Sequence, residues 1–436
     1  MKASRYNMTV PLSGDGIIFF NTFNRNMIFA NAREANQIQQ ILQALHQEAF
    51  NIEDVPVIQY LNRKGFILRD QENELEAIGR IETLVKNRDD MFYIVIKPTF
   101  ACNFRCSYCG QDHISQTMND QTAEKILSFI SAKAQTTKLI NVTWYGGEPL
   151  LEYTRILALS KRVAEICDSL GTSYYFSIVT NAYLLPKTRI EQLIAHTFKY
   201  FQITIDGDEM HHDRARPYVD GSGTFNTVFE SLINVLTLGQ ERDVHVHLRV
   251  NINEDNLSGI LPLLQKVPTK YRGQISLDLV NWFQNAVRLN FYDLIKSSIQ
   301  LGYRYKNRKN PFAVCEASYK NVASFLPNGD AAFCSQEFDH AQCYGTIGEN
   351  GEIRITNQER YNQFQELWSH SNSICSQCLR LPICMGGCKK VRLSDDQICT
   401  NGGPSGLSLE EEVMLFYLDH LQFEDPEEIT YERARI

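Results

Sequence analysis

Met91-Phe-Tyr-Ile-Val-Ile-Lys-Pro-Thr-Phe-Ala-Cys102-Asn-Phe-Arg-Cys106-Ser-Tyr-Cys109 joins an apolar run to a loop with three cysteines. The run predicts a strand at 92–97, and from about 91 to 281 strands and helices then alternate. Further strands are predicted at 138–144, 174–180, 199–205, 244–251 and 275–280. Helical periodicity falls at 120–134, 151–170, 187–196, 224–239 and 256–266. This alternation argues for βα units and a parallel sheet, an α/β fold. Six such strands are too few for a closed eight-unit barrel, so a partial (β/α)6 TIM-like barrel or an open sheet is expected. In Val244-His245-Val246-His247-Leu248-Arg249-Val250-Asn251, polar residues alternate with apolar ones. One face therefore carries His245, His247, Arg249 and Asn251 in a row. Such a row is either the wall of a solvated cavity or the exposed face of an edge strand.

Upstream, residues 1–80 read as a small α+β module. Ile17-Ile18-Phe19-Phe20 and Met27-Ile28-Phe29 predict two strands. Asn31 and Glu34 have the spacing of a helix capping box. Ile38, Ile41, Leu42 and Leu45 give that helix one apolar face. A second helix over 52–62 and a strand at 65–68 complete a winged-helix-like order. Charged residues 69–90 predict a linker helix, with 81–90 as the connection into 91–281. Residues 282–314 bridge to 315–400, which is rich in cysteine, Gly and Pro and shows little periodicity. That segment is expected to build little core of its own and to need metal. Residues 401–436 predict an amphipathic helix near 408–422 and an acidic tail.

The 436 residues carry a net charge of −8 and 43% hydrophobic residues. Nothing resembles the basic footprint of a nucleic-acid binder. No apolar run reaches the roughly 18 residues of a membrane span, and the N-terminus lacks a signal-peptide core. A cytoplasmic protein is expected. In that compartment 12 cysteines point to metal or redox work.

Their spacing is specific. Cys102-x3-Cys106-x2-Cys109 would arise in roughly 1% of shuffled chains of this composition. Three close thiolates cannot complete a tetrahedral zinc site without a fourth ligand. They can hold three irons of a [4Fe–4S] cluster and leave the fourth open. The end of a first strand is where βα proteins place active sites. Downstream, Cys375-x2-Cys378-x5-Cys384-x3-Cys388 precedes Cys399, while Cys315 and Cys334 stand upstream with Gly329 at G-x4-C. Paired C-x2-C motifs also build zinc ribbons, so a zinc-binding interaction protein is one alternative. Cys167, between apolar residues of a predicted helix, reads as core.

Other motifs follow the strands in order. Trp144-Tyr145-Gly146-Gly147-Glu148-Pro149 follows the second strand, Thr180-Asn181 ends the third, and Ile205-Asp206-Gly207 ends the fourth. His212-Asp213-Arg214-Ala215-Arg216-Pro217, Gly223-Thr224-Phe225 and Arg249-Val250-Asn251 come next. This set resembles the peptide- and protein-modifying branch of the radical S-adenosylmethionine enzymes. The resemblance implies a [4Fe–4S] cluster on the catalytic Cys102, Cys106 and Cys109, with S-adenosylmethionine on its open iron. It implies cofactor contacts from Gly146, Gly147, Glu148, Thr180, Asn181, Asp206, Arg216 and Arg249. The later cysteines resemble the SPASM extension and its two auxiliary clusters, making three [4Fe–4S] clusters in all. By that resemblance Cys375, Cys378, Cys384 and Cys399 hold the distal cluster, and Cys315, Cys334 and Cys388 the proximal one. Cys343 is either the fourth proximal ligand or unliganded; both remain open.

The activity implied is that of a maturase of ribosomally made peptides. A 5′-deoxyadenosyl radical would abstract hydrogen from a precursor peptide, leading to a thioether or carbon–carbon crosslink. Auxiliary clusters would take the surplus electron, and a donor such as flavodoxin or ferredoxin would supply the first one. The N-terminal module resembles a leader-recognition element, binding the leader by strand addition, or else caps the barrel. The same-fold alternative is an anaerobic sulfatase maturase, which makes formylglycine. Those enzymes resemble this core but place an aspartate directly after the second SPASM cysteine, where Ser335 stands. Glu337 or Asp278 would then be the base, or each is an ordinary polar residue; both readings stay open.

Overall fold

The computed structural model describes residues 1–12, 14, 16–45, 56–111, 114–281, 289–305, 314–394 and 406–423. The first strands are β1 (Lys2–Ala3), β2 (Asn7–Pro11), β3 (Gly16–Asn21), β4 (Met27–Asn31) and β5 (Ile67–Leu68). β2, β3 and β4 form an antiparallel sheet, while β1 pairs with β5. The strand expected at 65–68 thus closes on the N-terminus. Asn31 caps the helix Ala32–Ala44, and the Glu34 side chain returns the bond to the Asn31 backbone. The next helix is described over Pro56–Arg63; 52–55, where it was expected to begin, lie outside the described residues.

The alternating region forms β6 (Met91–Ile96), β7 (Leu139–Trp144), β8 (Ser173–Thr180), β9 (Phe198–Thr204), β10 (His245–Ile252) and β11 (Ile275–Asn281). All are parallel, and each lies beside the strand next in sequence. The connecting helices bury Ile126, Ile156, Leu193, Val228 and Leu263 against Ile94, Val142, Ile178, Phe201 and Leu248 of the strands. Strand side chains alternate, so the opposite face is left to Tyr93, Tyr175, Tyr200 and the His245 row. β10 is hydrogen-bonded on both sides, so that row does not belong to an edge strand.

Residues 315–400 depart from expectation. β12 (Val322–Phe325) pairs in parallel with β6 on the side away from β7. Antiparallel β13 (Asp330–Ala332), β14 (Gly345–Ile347) and β15 (Ile353–Ile355) follow, completing one ten-stranded, mostly parallel sheet. Phe325, Phe333, Tyr344 and Phe364 enter the main core, so this segment does build core. Strands of three or four residues are too short to display a period of two, which is why the pattern hid them.

The N-terminal module is packed onto the cysteine-rich segment. Val10, Ile18, Phe20 and Met27 bury against Ile383 and against Val413 of the C-terminal helix Leu409–Phe423. Tyr6 and Ile78 pack with Leu381 and Met385. Arg5 donates to Ser376 O at 2.8 Å, and Thr22 to Leu379 O at 2.6 Å. The charged stretch read as a linker forms the helix Glu74–Lys86, whose Glu82 is buried. That carboxylate accepts from Ser369 N at 2.9 Å and Ser369 Oγ at 3.0 Å, and pairs with His370 Nδ1 at 2.8 Å. No helix of the described residues is long and apolar enough to cross a membrane.

Candidate active site

The loop Cys102–Cys109 leaves the C-terminal end of β6 and is gripped from two sides. On one side, Gly147 N donates to Thr99 O at 3.0 Å and Glu148 N to Ala101 O at 2.8 Å. The approach is too close for side chains: a Cβ on Gly147 would lie 2.2 Å from Ala101 O, and one on Gly146 2.4 Å from Thr99 O. Gly146 also holds φ at +131°, a region that only glycine enters freely. On the other side, Arg105 N reaches Pro217 O and Ser107 N reaches Ala215 O, both at 2.9 Å. Val219 N closes on Asn103 O, also at 2.9 Å.

Two buried polar groups set the ends of this grip. The Glu148 carboxylate is fully buried and accepts from Thr180 Oγ1 (2.7 Å), Asn181 N (2.8 Å) and Leu150 N (2.9 Å). Burial pushes its pKa up to about 6 despite those donors. Glu148 therefore ties the end of β8 to the loop, and Asn181 Nδ2 continues to Asn103 Oδ1 at 2.8 Å. Asp206, also fully buried, accepts from Asn251 N at 2.7 Å and pairs with Arg216 at 3.4 Å. The Tyr108 hydroxyl bonds to both Asp206 and Arg216. His212 lies buried behind them, accepting from Asp206 N at 3.2 Å; burial, then Arg216, keeps it neutral. Asp213 caps the helix Phe225–Gly239 through Thr224 N and Phe225 N, which accounts for Gly223: a Cβ there would lie 2.3 Å from Asp213 Oδ2.

The donor set around the thiols suits an iron–sulfur cluster. Phe104 N lies 3.4 Å and Asn181 Nδ2 3.9 Å from Cys102 Sγ. Among the described residues, Asn103 Nδ2 and Arg216 Nε are buried without a partner, leaving N–H groups for sulfur to accept. Burial pushes Cys102 up to about 12 and raises Cys106, so iron must displace their protons to bind. No three His, Cys, Asp or Glu side chains among the described residues converge on one metal ion. A four-iron cluster does not require that, since each thiolate takes a different iron.

Of the sequence-predicted contacts, Gly146, Gly147, Glu148, Thr180, Asn181, Asp206 and Arg216 thus gather at the loop. Arg249 stands farther along the polar face, paired with Asp278 at 3.3 Å and donating to Asn251 Oδ1 at 3.1 Å. Cys315, Cys334 and Cys388 lie within electrostatic reach of one another, as do Cys375, Cys378 and Cys384. The two sets are joined by Met385-Gly386-Gly387, all three at positive φ. Cys399 lies outside the described residues. Cys343 packs with Phe100, Leu326 and Ala332, its thiol donating to Asp339 O at 3.7 Å. Cys167 is fully buried in the core, as expected. Glu337 is buried and committed to Lys390 at 3.2 Å and Arg360 at 3.8 Å.

Two residues escaped the sequence reading. Tyr108 lies between ligands, where any residue type is tolerated by the spacing. Lys97 is fully buried at the end of β6. Its signal was a lone charge closing an apolar strand.

Comparison with known proteins agrees with this geometry. Residues 96–267 match the Radical SAM superfamily. Such a domain implies a [4Fe–4S] cluster and S-adenosylmethionine. The serine-type anaerobic sulfatase-maturating enzyme of Klebsiella aerogenes is 31% identical over 150 residues, 32% of this chain and 36% of that protein. GTP 3′,8-cyclase of Clostridium botulinum (strain Okra / Type B1) is 25% identical over 185 residues, 41% of this chain and 54% of that one. The chain thus spans about a third to a half of these curated relatives. Native anSMEcpe with bound AdoMet superposes with a TM-score of 0.55 at 16% identity, covering 76% of this chain and 96% of that chain. The same protein with AdoMet and Cp18Cys peptide gives 0.53 at 17%, with the same coverage. At that identity the likeness is one of fold.

Proposed function

We propose that this chain, which carries a radical S-adenosylmethionine domain and resembles maturases of that superfamily, modifies a ribosomally made peptide by oxidative crosslinking. The observation that carries the reading is the position of the three-cysteine loop. It lies at the C-terminal end of β6, between the Gly146-Gly147-Glu148 turn and Arg216, beside a polar sheet face and a second group of cysteines. In this reading β6–β11 form a partial barrel, and 315–400 form a SPASM domain with two auxiliary clusters.

When bound, the cluster on Cys102, Cys106 and Cys109 and S-adenosylmethionine would supply a radical able to take hydrogen from an unactivated carbon. The chain's own residues do the positioning. Glu148, Thr180 and Asn181 fix one flank of the loop, and Asp206, Arg216 and Tyr108 the other. Peptide would lie along His247, Arg249 and Asp278. Asp278, paired with Arg249 and partly exposed, would accept the substrate proton, whereas Glu337 is buried between Lys390 and Arg360. Cys315, Cys334, Cys388 and Cys375, Cys378, Cys384 would hold the auxiliary clusters, with Cys399 as the remaining distal ligand. Cys343, its thiol bonded within the protein, is read as unliganded. An electron donor such as flavodoxin or ferredoxin is required.

Crosslinking is tested by co-expressing the chain with a candidate precursor peptide. Mass spectrometry should show a loss of two hydrogens per crosslink, with no carbonyl captured by hydrazine. A hydrazine-reactive aldehyde would instead establish formylglycine formation. That second reading is favoured by the identity to the Klebsiella enzyme, and disfavoured by Ser335 and by the packed N-terminal module. Colourless protein binding zinc alone after anaerobic reconstitution would remove both.

The N-terminal module is proposed to take the leader as an added strand. Its sheet ends at β2 and β4, neither of which has a further partner among the described residues. Deleting residues 1–80 is a poor test, since it would expose Ile383, Leu381 and Val413. Hydrogen exchange is cleaner. Adding precursor should slow exchange of β2 or β4 amides at least tenfold; protection confined to β6–β11 would refute leader recognition.

A further inference from the structure

Lys97 is a buried lysine with no ion pair among the described residues. Its side chain is fully buried, and its backbone N donates to Phe325 O at 3.0 Å where β6 meets β12. An ammonium has three donors. Among the described residues Lys97 Nζ spends one, on Ser324 Oγ at 2.6 Å, and lies 5.2 Å from the Phe338 ring centroid. No carboxylate stands within ion-pair distance among those residues. Glu337 is engaged by Lys390 and Arg360. Burial lowers the Lys97 pKa to about 8. An unpaired buried ammonium is costly, and an anion beside it offsets that cost.

The surroundings say which anion. Ser324, which accepts from Lys97 Nζ, pairs with Ala332 across β12 and β13, and Cys334 follows two residues on. Burial pushes the Cys343 thiol up to about 12, so it stays neutral and bonded to Asp339 O. Cys334 shares its site with Cys315 and Cys388. We infer that Lys97 is the counter-charge to the proximal cluster held by Cys315, Cys334 and Cys388, and that it raises that cluster's reduction potential. This rests on the cluster reading above. A fixed cation stabilises the reduced, more negative state of a nearby cluster, and the low dielectric of a dry site strengthens the effect. Lys97 would thus be a positioning charge that lets the proximal cluster accept the electron leaving the substrate.

The test is a potentiometric titration followed by electron paramagnetic resonance. The full-length chain carries Cys102→Ala, Cys106→Ala and Cys109→Ala, so that only auxiliary couples are seen. In Lys97→Met, iron content should match the Lys97 parent. One auxiliary couple should fall by at least tenfold in its reduction equilibrium, about 59 mV for one electron. The other couple should stay put, and Lys97→Arg should restore the parent value. If Lys97→Met loads no iron, Lys97→Gln, which keeps a donor for Ser324 but no charge, is read in its place. Unchanged couples in an iron-loaded neutral variant would overturn the inference and leave the cluster reading standing. So would a shift confined to the couple that survives loss of Cys315, Cys334 and Cys388. Iron-free parent protein after reconstitution would overturn both.

Discussion

Replacing Cys102, Cys106 and Cys109 together by Ala should abolish reductive cleavage of S-adenosylmethionine while iron remains at the C-terminal cysteines. The variant should fold, because the loop is held through backbone groups rather than thiols. Arg105 N, Ser107 N and Asn103 O bond to residues 215–219, and Thr99 O and Ala101 O accept from the glycine turn. Losing the thiols removes only the ligands. Cys315, Cys334 and Cys388 sit beside β12 and β13, and Cys375, Cys378 and Cys384 on the far side of the Met385-Gly386-Gly387 turn. Their iron should be independent of the first loop. Iron should therefore fall by about four atoms from about twelve, as expected for one cube in three. The 5′-deoxyadenosine formed should drop to background by chromatography. Retained cleavage would refute the ligand assignment; loss of all iron would mean the three sites load as one.

The alternating region was legible because each unit is long enough to show its period. Five predicted helices and six predicted strands appear within a few residues of their expected bounds, from β6 to β11. The Asn31–Glu34 capping box was legible because it is local. The site motifs were legible because they stand at strand ends, where spacing along the chain maps directly onto position in the sheet. What could not be read depends on contacts between distant segments. Glu82 looks like the solvated face of a linker until Ser369 and His370, nearly three hundred residues on, supply its partners. β12 shows only four residues, and its place beside β6 follows from the sheet having a free side there. Lys97 reads as the polar end of a strand, and only its complete burial between β6 and β12 marks it as unusual. Arg249, read as a cofactor contact from the motif order, also pairs with Asp278 and donates to Asn251, which the sequence does not show.

Gly147→Ala should have nearly the effect of removing the thiols, with every ligand still present. The added Cβ would stand 2.2 Å from Ala101 O and 2.5 Å from Phe100 O. Both obstacles are backbone carbonyls, so no side-chain rotation relieves the overlap. Either the loop or the turn must move, and both Gly147 N–Thr99 O and Glu148 N–Ala101 O are then stretched. Two such bonds are worth about 2 kcal/mol together, enough to reposition a loop without unfolding a chain of this size. Glu148 would shift with the turn, pulling on Thr180 and Asn181 and so on the donors nearest Cys102. Misplacement of about 1 Å in a catalytic constellation can cost about a hundredfold in rate. Cleavage of S-adenosylmethionine should therefore fall by about that factor, with auxiliary iron unchanged. Gly273→Ala is the matched control, because its nearest neighbour would be Gly302 O at 4.0 Å. It should leave cleavage unaltered. Parent-like cleavage in Gly147→Ala would show that the loop tolerates displacement, and that the grip between the glycine turn and residues 215–219 is not what positions the chemistry.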